Sequence, residues 1–152
     1  EVNKNIEMLL SINDPYEILN QKSENGKKLF EAAEKVKKQY LNLLKKALDE
    51  VKKSKSRVID FAYISDNVSF TSELANELIH RNPGKIIAVA RIKDEQMRIS
   101  LRSSVNDIEL PRVLEKIFTE MKGSGGGHEH AVAVEIHSED YKNFIKLLRK
   151  YV

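Results

Sequence analysis

The sequence predicts an α/β fold of the α+β kind: a small mixed β-sheet flanked by helices, preceded by an N-terminal helical linker. Three observations carry that expectation. Apolar residues recur every three or four positions through residues 1–53, with no strand-like run among them. At Arg57 the period changes, and Val58–Ile64 is dense in β-branched and aromatic residues. From there the patterns alternate as β-α-β-β-α-loop-β-α, the order of a small mixed sheet with helices packed on it. The expected boundaries follow: residues 1–56 are a helical linker and residues 57–152 a sheet domain.

Each element has its own signal. Val2, Ile6, Leu9 and Leu10 follow helical spacing and predict a short helix over 2–12. Asp14 suits an N-cap, Pro15 the first helical position and Glu17 a capping box. A second helix over 15–22 follows, broken by Asn25-Gly26. Leu29, Phe30, Ala33, Val36, Tyr40, Leu44, Ala47, Leu48 and Val51 predict one long helix over 27–53, with Lys and Glu between them. After the strand Val58–Ile64, Ser65-Asp66-Asn67 reads as a turn. Leu74, Ala75, Leu78 and Ile79 predict a helix over 71–81, capped by Ser69 or Thr71, with Glu73 at its positive end. Asn82-Pro83-Gly84 stops it.

A strand over 85–92 and a strand over 96–102 come next, joined by a turn at Asp94-Glu95. The second of these alternates Met97, Ile99 and Leu101 with Gln96, Arg98, Ser100 and Arg102, so one of its faces is polar. A helix over 109–122 carries Pro111 in its first turn. Residues 123–130 are expected to be a loop. A strand over 131–136 and a helix opening at Ser138-Glu139-Asp140 complete the chain.

Composition narrows the function classes. Hydrophobic residues make up 41% and charged residues 32%, the balance of a globular chain with a core. No apolar run approaches the ~18–20 residues of a membrane span, and no signal-peptide pattern is present. The absence of cysteine excludes disulfide and thiolate chemistry. The expected location is cytoplasmic, with no membrane partner. The chain opens at Glu1 and not Met, and is read as part of a longer protein. Net charge is only +3, but residues 1–57 hold 13 Lys/Arg against 9 Asp/Glu, and residues 58–152 hold 13 against 14. The positive excess is either a solvated lysine-rich helix face or a diffuse attraction for a polyanion.

The chemistry centres on Gly123-Ser124-Gly125-Gly126-Gly127-His128-Glu129-His130, which holds four of the six glycines. Closely spaced glycines let an anion approach backbone amides, and His128 adds a donor. The stretch is either a phosphate-holding loop or a flexible linker. It follows a helix and has His where a dinucleotide fingerprint needs its last glycine. It also lacks the Gly-Lys-Ser/Thr of a P-loop. His128, His130 and Glu129 supply too few ligands for a metal centre. Arg102 ends the half-polar strand beside Ser103 and Ser104. If that strand neighbours the one leaving the glycine stretch, Arg102 and His128 converge on one anion; otherwise Arg102 is an ordinary surface arginine.

These residues carry a resemblance. Gly125-Gly126-Gly127-His128-Glu129-His130-Ala131 resembles the G-G-G-H-x-x-A motif of the DHH-associated domain, the C-terminal domain of DHH-family phosphoesterases. The family motif usually continues Ala-Ala-Gly, where this chain has Ala131-Val132-Ala133. Ile99-Ser100-Leu101-Arg102-Ser103 is similar to that family's strand ending in Ser-x-Arg-Ser. The likeness covers about residues 57–152, more loosely the helices before them, and leans to the archaeal RecJ-like group.

The resemblance implies a site for the substrate's phosphate built from Gly125, Gly126, Gly127 and His128, with Arg102 as second anchor and Ser103 as a weaker one. It implies that the catalytic centre, two divalent metals (Mn or Mg) held by Asp and His residues, belongs to a preceding DHH domain acting in cis. This chain has no Asp-His-His or Asp-x-Asp sequence and is expected to bind no cofactor itself. The implied substrate is single-stranded nucleic acid or an oligonucleotide, with replication or repair proteins as further partners. Alternatives within the family are a phosphoesterase for dinucleotides or polyphosphate, and a non-catalytic replication-associated module. A related domain also follows alanyl-tRNA synthetase editing regions and carries a different glycine motif.

Overall fold

The computed structural model describes residues 2–65 and 68–152. Asp66 and Asn67 of the expected turn after the first strand lie outside the described residues. The chain divides into two units, residues 1–45 and 46–152, with the division inside one long helix.

The first unit begins with α1 (Val2–Leu10) and α2 (Pro15–Leu19) and includes most of α3 (Glu24–Lys53). The Asp14 carboxylate caps α2 by accepting from the Tyr16 amide at 2.8 Å. The expected capping box does not form, because the Glu17 carboxylate accepts from the Ser23 hydroxyl instead. α2 also ends earlier than expected, at Leu19, where Gln21 takes a positive φ of 52°.

Asn25-Gly26 does not break the chain but lies within the first turn of α3. Amides there have no intrahelical partner, and Ser23 supplies one, its hydroxyl accepting from the Gly26 amide at 3.0 Å. Glycine is needed at 26 for close packing: a Cβ there would stand 2.6 Å from the Glu17 carbonyl oxygen. Residues 31–43 of α3 include no buried side chain, and Val36 and Leu41 stay exposed. Ile6, Leu9, Leu10, Tyr16 and Leu19 are exposed as well.

The second unit is built on a five-stranded mixed sheet of order β1-β2-β3-β5-β4. β1 (Val58–Ile64) leads through α4 (Thr71–Arg81) to β2 (Ile86–Lys93), which lies parallel to it. β2 turns at Asp94, with φ 54°, into antiparallel β3 (Gln96–Ser103). α5 (Leu110–Glu120) precedes β4 (Ser124–His128) and β5 (Ala131–His137), and α6 (Tyr141–Tyr151) ends the unit after a 3-10 turn at Ser138–Asp140.

The glycine stretch is therefore not the expected loop: Ser124–His128 is an edge strand paired antiparallel with β5. Its own residues have poor strand propensity, so the pairing is imposed from outside. β5 is a strongly β-forming partner, and the Glu129-His130 turn is tied down from two sides. The Leu110 amide donates to the Glu129 carbonyl at 2.8 Å, and the Ser103 amide to the His130 carbonyl at 3.0 Å.

The sheet's two faces are packed differently. Ile86, Ala88, Met97, Ile99, Leu101, Val132, Val134 and Ile136 meet the apolar sides of α5 and α6 in one buried cluster. On the opposite face α4 places Leu74, Ala75 and Leu78 over β2 and β3. Asp60 of β1 links to α6, accepting from Arg149 at 2.8 Å and Tyr141 at 3.3 Å. Burial and the Asp60 carboxylate hold the Tyr141 hydroxyl far above its ordinary pKa, so it stays protonated.

Candidate phosphate-binding face

Strand register brings the two halves of the sequence motif together. Arg102 of β3 lies opposite Ala131 of β5, and His128 of β4 lies opposite Ala131 from the other side. Residues directly opposed in antiparallel pairs share a face, so Arg102, Ala131 and His128 form one row across three strands. Two residues along, Ser100, Ala133 and Gly126 form the next row, and Arg98, Glu135 and Ser124 the third. The middle row is a floor of small side chains between two rows that bear cations.

The three glycines are not equivalent. A Cβ on Gly127 would lie 2.4 Å from the Ala131 carbonyl oxygen, and its φ of 151° is strained for any other residue. A Cβ on Gly125 would lie 2.6 Å from the Ala133 carbonyl oxygen. Both glycines are explained by the hairpin alone. Gly126 is different, because a Cβ there would meet nothing within 4 Å and would stand on the open face. The fold does not require glycine at 126; close approach of a ligand to the backbone would. β4 is exposed along its length and is an edge, so amides on its outer side are open to an acceptor.

Arg102 is held in place from α4. Its Nε donates to Asn76 Oδ1 at 2.7 Å and its Nη1 to the Leu101 carbonyl at 2.8 Å. Partial burial pulls the guanidinium below its ordinary pKa, and the Glu73 carboxylate partly offsets this. An arginine remains charged through such a shift, so a half-buried, oriented cation stands on the sheet face that carries the floor. Ser100 is buried at 5% exposure and meets the Ser72 hydroxyl at 3.3 Å. His128 is exposed on the same face as Arg102.

Ser103 is not brought to this face. Strand alternation turns it to the other side, where it is 7% exposed and its hydroxyl accepts from the Val105 amide at 3.1 Å. His130 sits in the hairpin turn with its Nε2 3.6 Å from Glu129. Among the described residues, no group of three or more His, Asp or Glu side chains is placed to hold a metal ion. Sequence reasoning missed Asn76, Ser72 and Glu73 as the supports of this face. The available signal was Ser72 and Asn76 at an i, i+4 spacing on the helix that crosses above the half-polar strand.

A groove of about 410 Å³ opens between the first turn of α4 and this floor, lined by Thr71, Ser72, Ser100, Ala133, Ser124 and Arg98 among others. Arg102 and His128 are not part of its lining. They stand one row further along the strands.

No curated protein sequence matches the chain. Among solved structures, RecJ from Thermus thermophilus in complex with Mn2+ is similar with a TM-score of 0.62 at 12% identity, covering 84% of this chain and 19% of that one. The pGpG-specific phosphodiesterase PggH from Vibrio cholerae gives 0.53 at 13% identity, covering 84% and 42%. The C-Ala domain of Aquifex aeolicus alanyl-tRNA synthetase gives 0.51 at 18% identity, covering 60% and 88%. The chain thus spans about a fifth of the RecJ structure and less than half of PggH. At these identities the likeness is one of fold. The DHHA1 domain family matches residues 61–152, which takes in the sheet, the Arg102 strand and the glycine strand. The chain belongs to the DHHA1 domain family.

Proposed function

We propose that this chain is the substrate-holding module of a metal-dependent phosphodiesterase, and that it seats a phosphate of single-stranded nucleic acid or an oligonucleotide between Arg102 and His128. The observation that carries this is the shared row: Arg102 and His128 both flank Ala131 on one face, beside a glycine whose side-chain position is open. Arg102 offers a fixed charge for planar recognition of phosphate oxygens. His128 offers a second donor, and the β4 edge offers amides. Nothing in this row is a nucleophile or a metal cradle, so its contribution is to position the substrate, which can supply a large part of a barrier reduction. The divalent metal, manganese or magnesium, would be held by a preceding DHH domain and would activate the attacking water.

A second reading concerns ligand size. A groove of about 410 Å³ suits a short ligand. This favours dinucleotide-sized substrates as an alternative to long single strands, as in the phosphodiesterase PggH.

The test is titration of the chain with single-stranded oligonucleotides of graded length at several salt concentrations. Arg102→Ala and His128→Ala should each weaken binding by at least ~1 kcal/mol, as expected for lost charge-assisted contacts. If both variants bind like the unsubstituted chain, the phosphate reading is wrong. The chain alone should hydrolyse none of these ligands.

A further inference from the structure

β1 is the sheet edge away from the glycine strand and is paired on one side only, with β2. The Ile86 amide donates to the Arg57 carbonyl at 2.9 Å. Successive residues of a strand direct their main-chain groups to opposite edges. Arg57, Ile59, Phe61 and Tyr63 therefore serve β2, while Val58, Asp60 and Ala62 turn outward. The Val58 amide is taken up by the Ser56 hydroxyl at 3.2 Å, which closes the start of the edge. The outward N–H and C=O groups of Asp60 and Ala62 have no partner among the described residues. They repeat at ~7 Å, two residues along the strand. A groove of about 490 Å³ runs beside them, lined by Asp60 and Ala62 of β1 and by Lys46, Asp49, Glu50 and Lys53 of α3. Those four helix residues recur at i, i+3, i+4 and i+7, so they form one wall. Most of its charge is spent: Glu50 pairs with Lys53 at 2.8 Å and Asp49 with Lys52 at 3.9 Å. Asp60 accepts from Arg149 and Tyr141. Lys46 is exposed and has no ion-pair partner among the described residues.

We propose that this groove takes an extended peptide of a partner protein, added as a sixth strand beside β1 with an acidic side chain against Lys46. The occupant is a strand because the edge presents donors and acceptors at the strand repeat, and an extended peptide answers them with its own main chain. Its acidic side chain follows from charge, since Lys46 is the wall's uncompensated group. Ala62 and Ile64, exposed on one side of β1, offer apolar surface to the alternate side chains of the peptide. An uncovered edge of seven residues with one charged side chain is a liability that proteins cover. The inference does not depend on the phosphate reading, because β1 and β4 are opposite edges of the sheet.

The experiment is an NMR titration of the chain with a capped nonapeptide of alternating valine and glutamate. Shifts should centre on residues 60–62, with slowed exchange of the Asp60 and Ala62 amides. Two further peptides carry N-methyl groups, one on every valine and one on every glutamate. One of them alone should lose binding, because only alternate residues face β1. Ala62→Pro deletes an outward N–H without touching the β2 ladder, a change an edge strand tolerates. It should weaken the peptide about tenfold and leave oligonucleotide affinity unchanged. Lys46→Glu, a surface change that spares the fold, should weaken the peptide about threefold and favour a valine–lysine peptide in its place. The inference is overturned if no peptide binds, if both or neither of the methylated peptides lose binding, or if a folded Ala62→Pro chain binds as before. An unchanged preference in Lys46→Glu also overturns it. So does slowed exchange at Asp60 and Ala62 that rises with the concentration of the chain alone, which would make a second copy the occupant.

Discussion

The two faces of the β3–β5–β4 half of the sheet are made by alternate residues of the same strands, yet they obey different rules. On one face Met97, Ile99, Leu101, Val132, Val134 and Ile136 are sealed under α5 and α6. On the other, Arg98, Ser100, Arg102, Ala133 and Glu135 lie beside a bare glycine strand, and α4 packs over β2 and β3. The first face holds the fold, and the second is the one proposed to hold a ligand. Which face a side chain takes decides what its loss should do, and neighbours in sequence should give opposite outcomes.

Leu101 and Arg102 are the sharpest pair. Leu101 is fully buried in the cluster. Leu101→Ala should cost ~2–5 kcal/mol in denaturant unfolding, the range for a large-to-small change in a packed core. The fraction that remains folded should bind oligonucleotide as before. Arg102→Ala removes a half-exposed side chain with its bonds to Asn76 and the Leu101 carbonyl, and should cost about 1 kcal/mol of stability while weakening the ligand. If the two variants cannot be separated in this way, the division of labour between the faces is wrong.

Gly127 comes next in size. Gly127→Ala must place a Cβ where the Ala131 carbonyl oxygen already stands, at a φ of 151°. A loss of ~1–3 kcal/mol in thermal unfolding is expected. It should fall on the β4–β5 hairpin, seen as faster amide exchange over 124–128 before the rest of the sheet responds.

The buried face was the legible one. β1, β2, β3 and β5 announce themselves through runs or alternation of branched apolar residues, because burial leaves that period in the sequence. The half-polar alternation of 96–102 also foretold which side of β3 would carry the polar residues, Arg102 among them. β4 left no such trace. Its strand state comes from a partner and two backbone ties, made by Leu110 and Ser103, that no local pattern records. Ser103 falls on the far side for a related reason: adjacency to Arg102 in sequence means opposite faces in a strand. Asn25-Gly26 had the composition of a break, but its glycine answers to the Glu17 carbonyl pressed against it.

The smallest stability effect should come from Gly126, and it separates the two faces within a single strand. Gly126 and Gly127 are consecutive, and both look like the same motif residue. At 126 an added side chain meets nothing within 4 Å, whereas at 127 it meets backbone. Gly126→Val should leave the melting midpoint within the scatter of surface substitutions, about ±0.5 kcal/mol, or raise it slightly, since valine favours an extended edge strand. Its isopropyl group would stand in the floor between Ser100 and the open edge, in the row shared with Ala133. Oligonucleotide affinity should fall at least as far as in Arg102→Ala, because a steric block excludes every pose that crosses the floor. A valine at 126 that leaves both stability and binding intact would mean that the glycine serves neither the fold nor the ligand, and that the ligand's path lies elsewhere on the sheet.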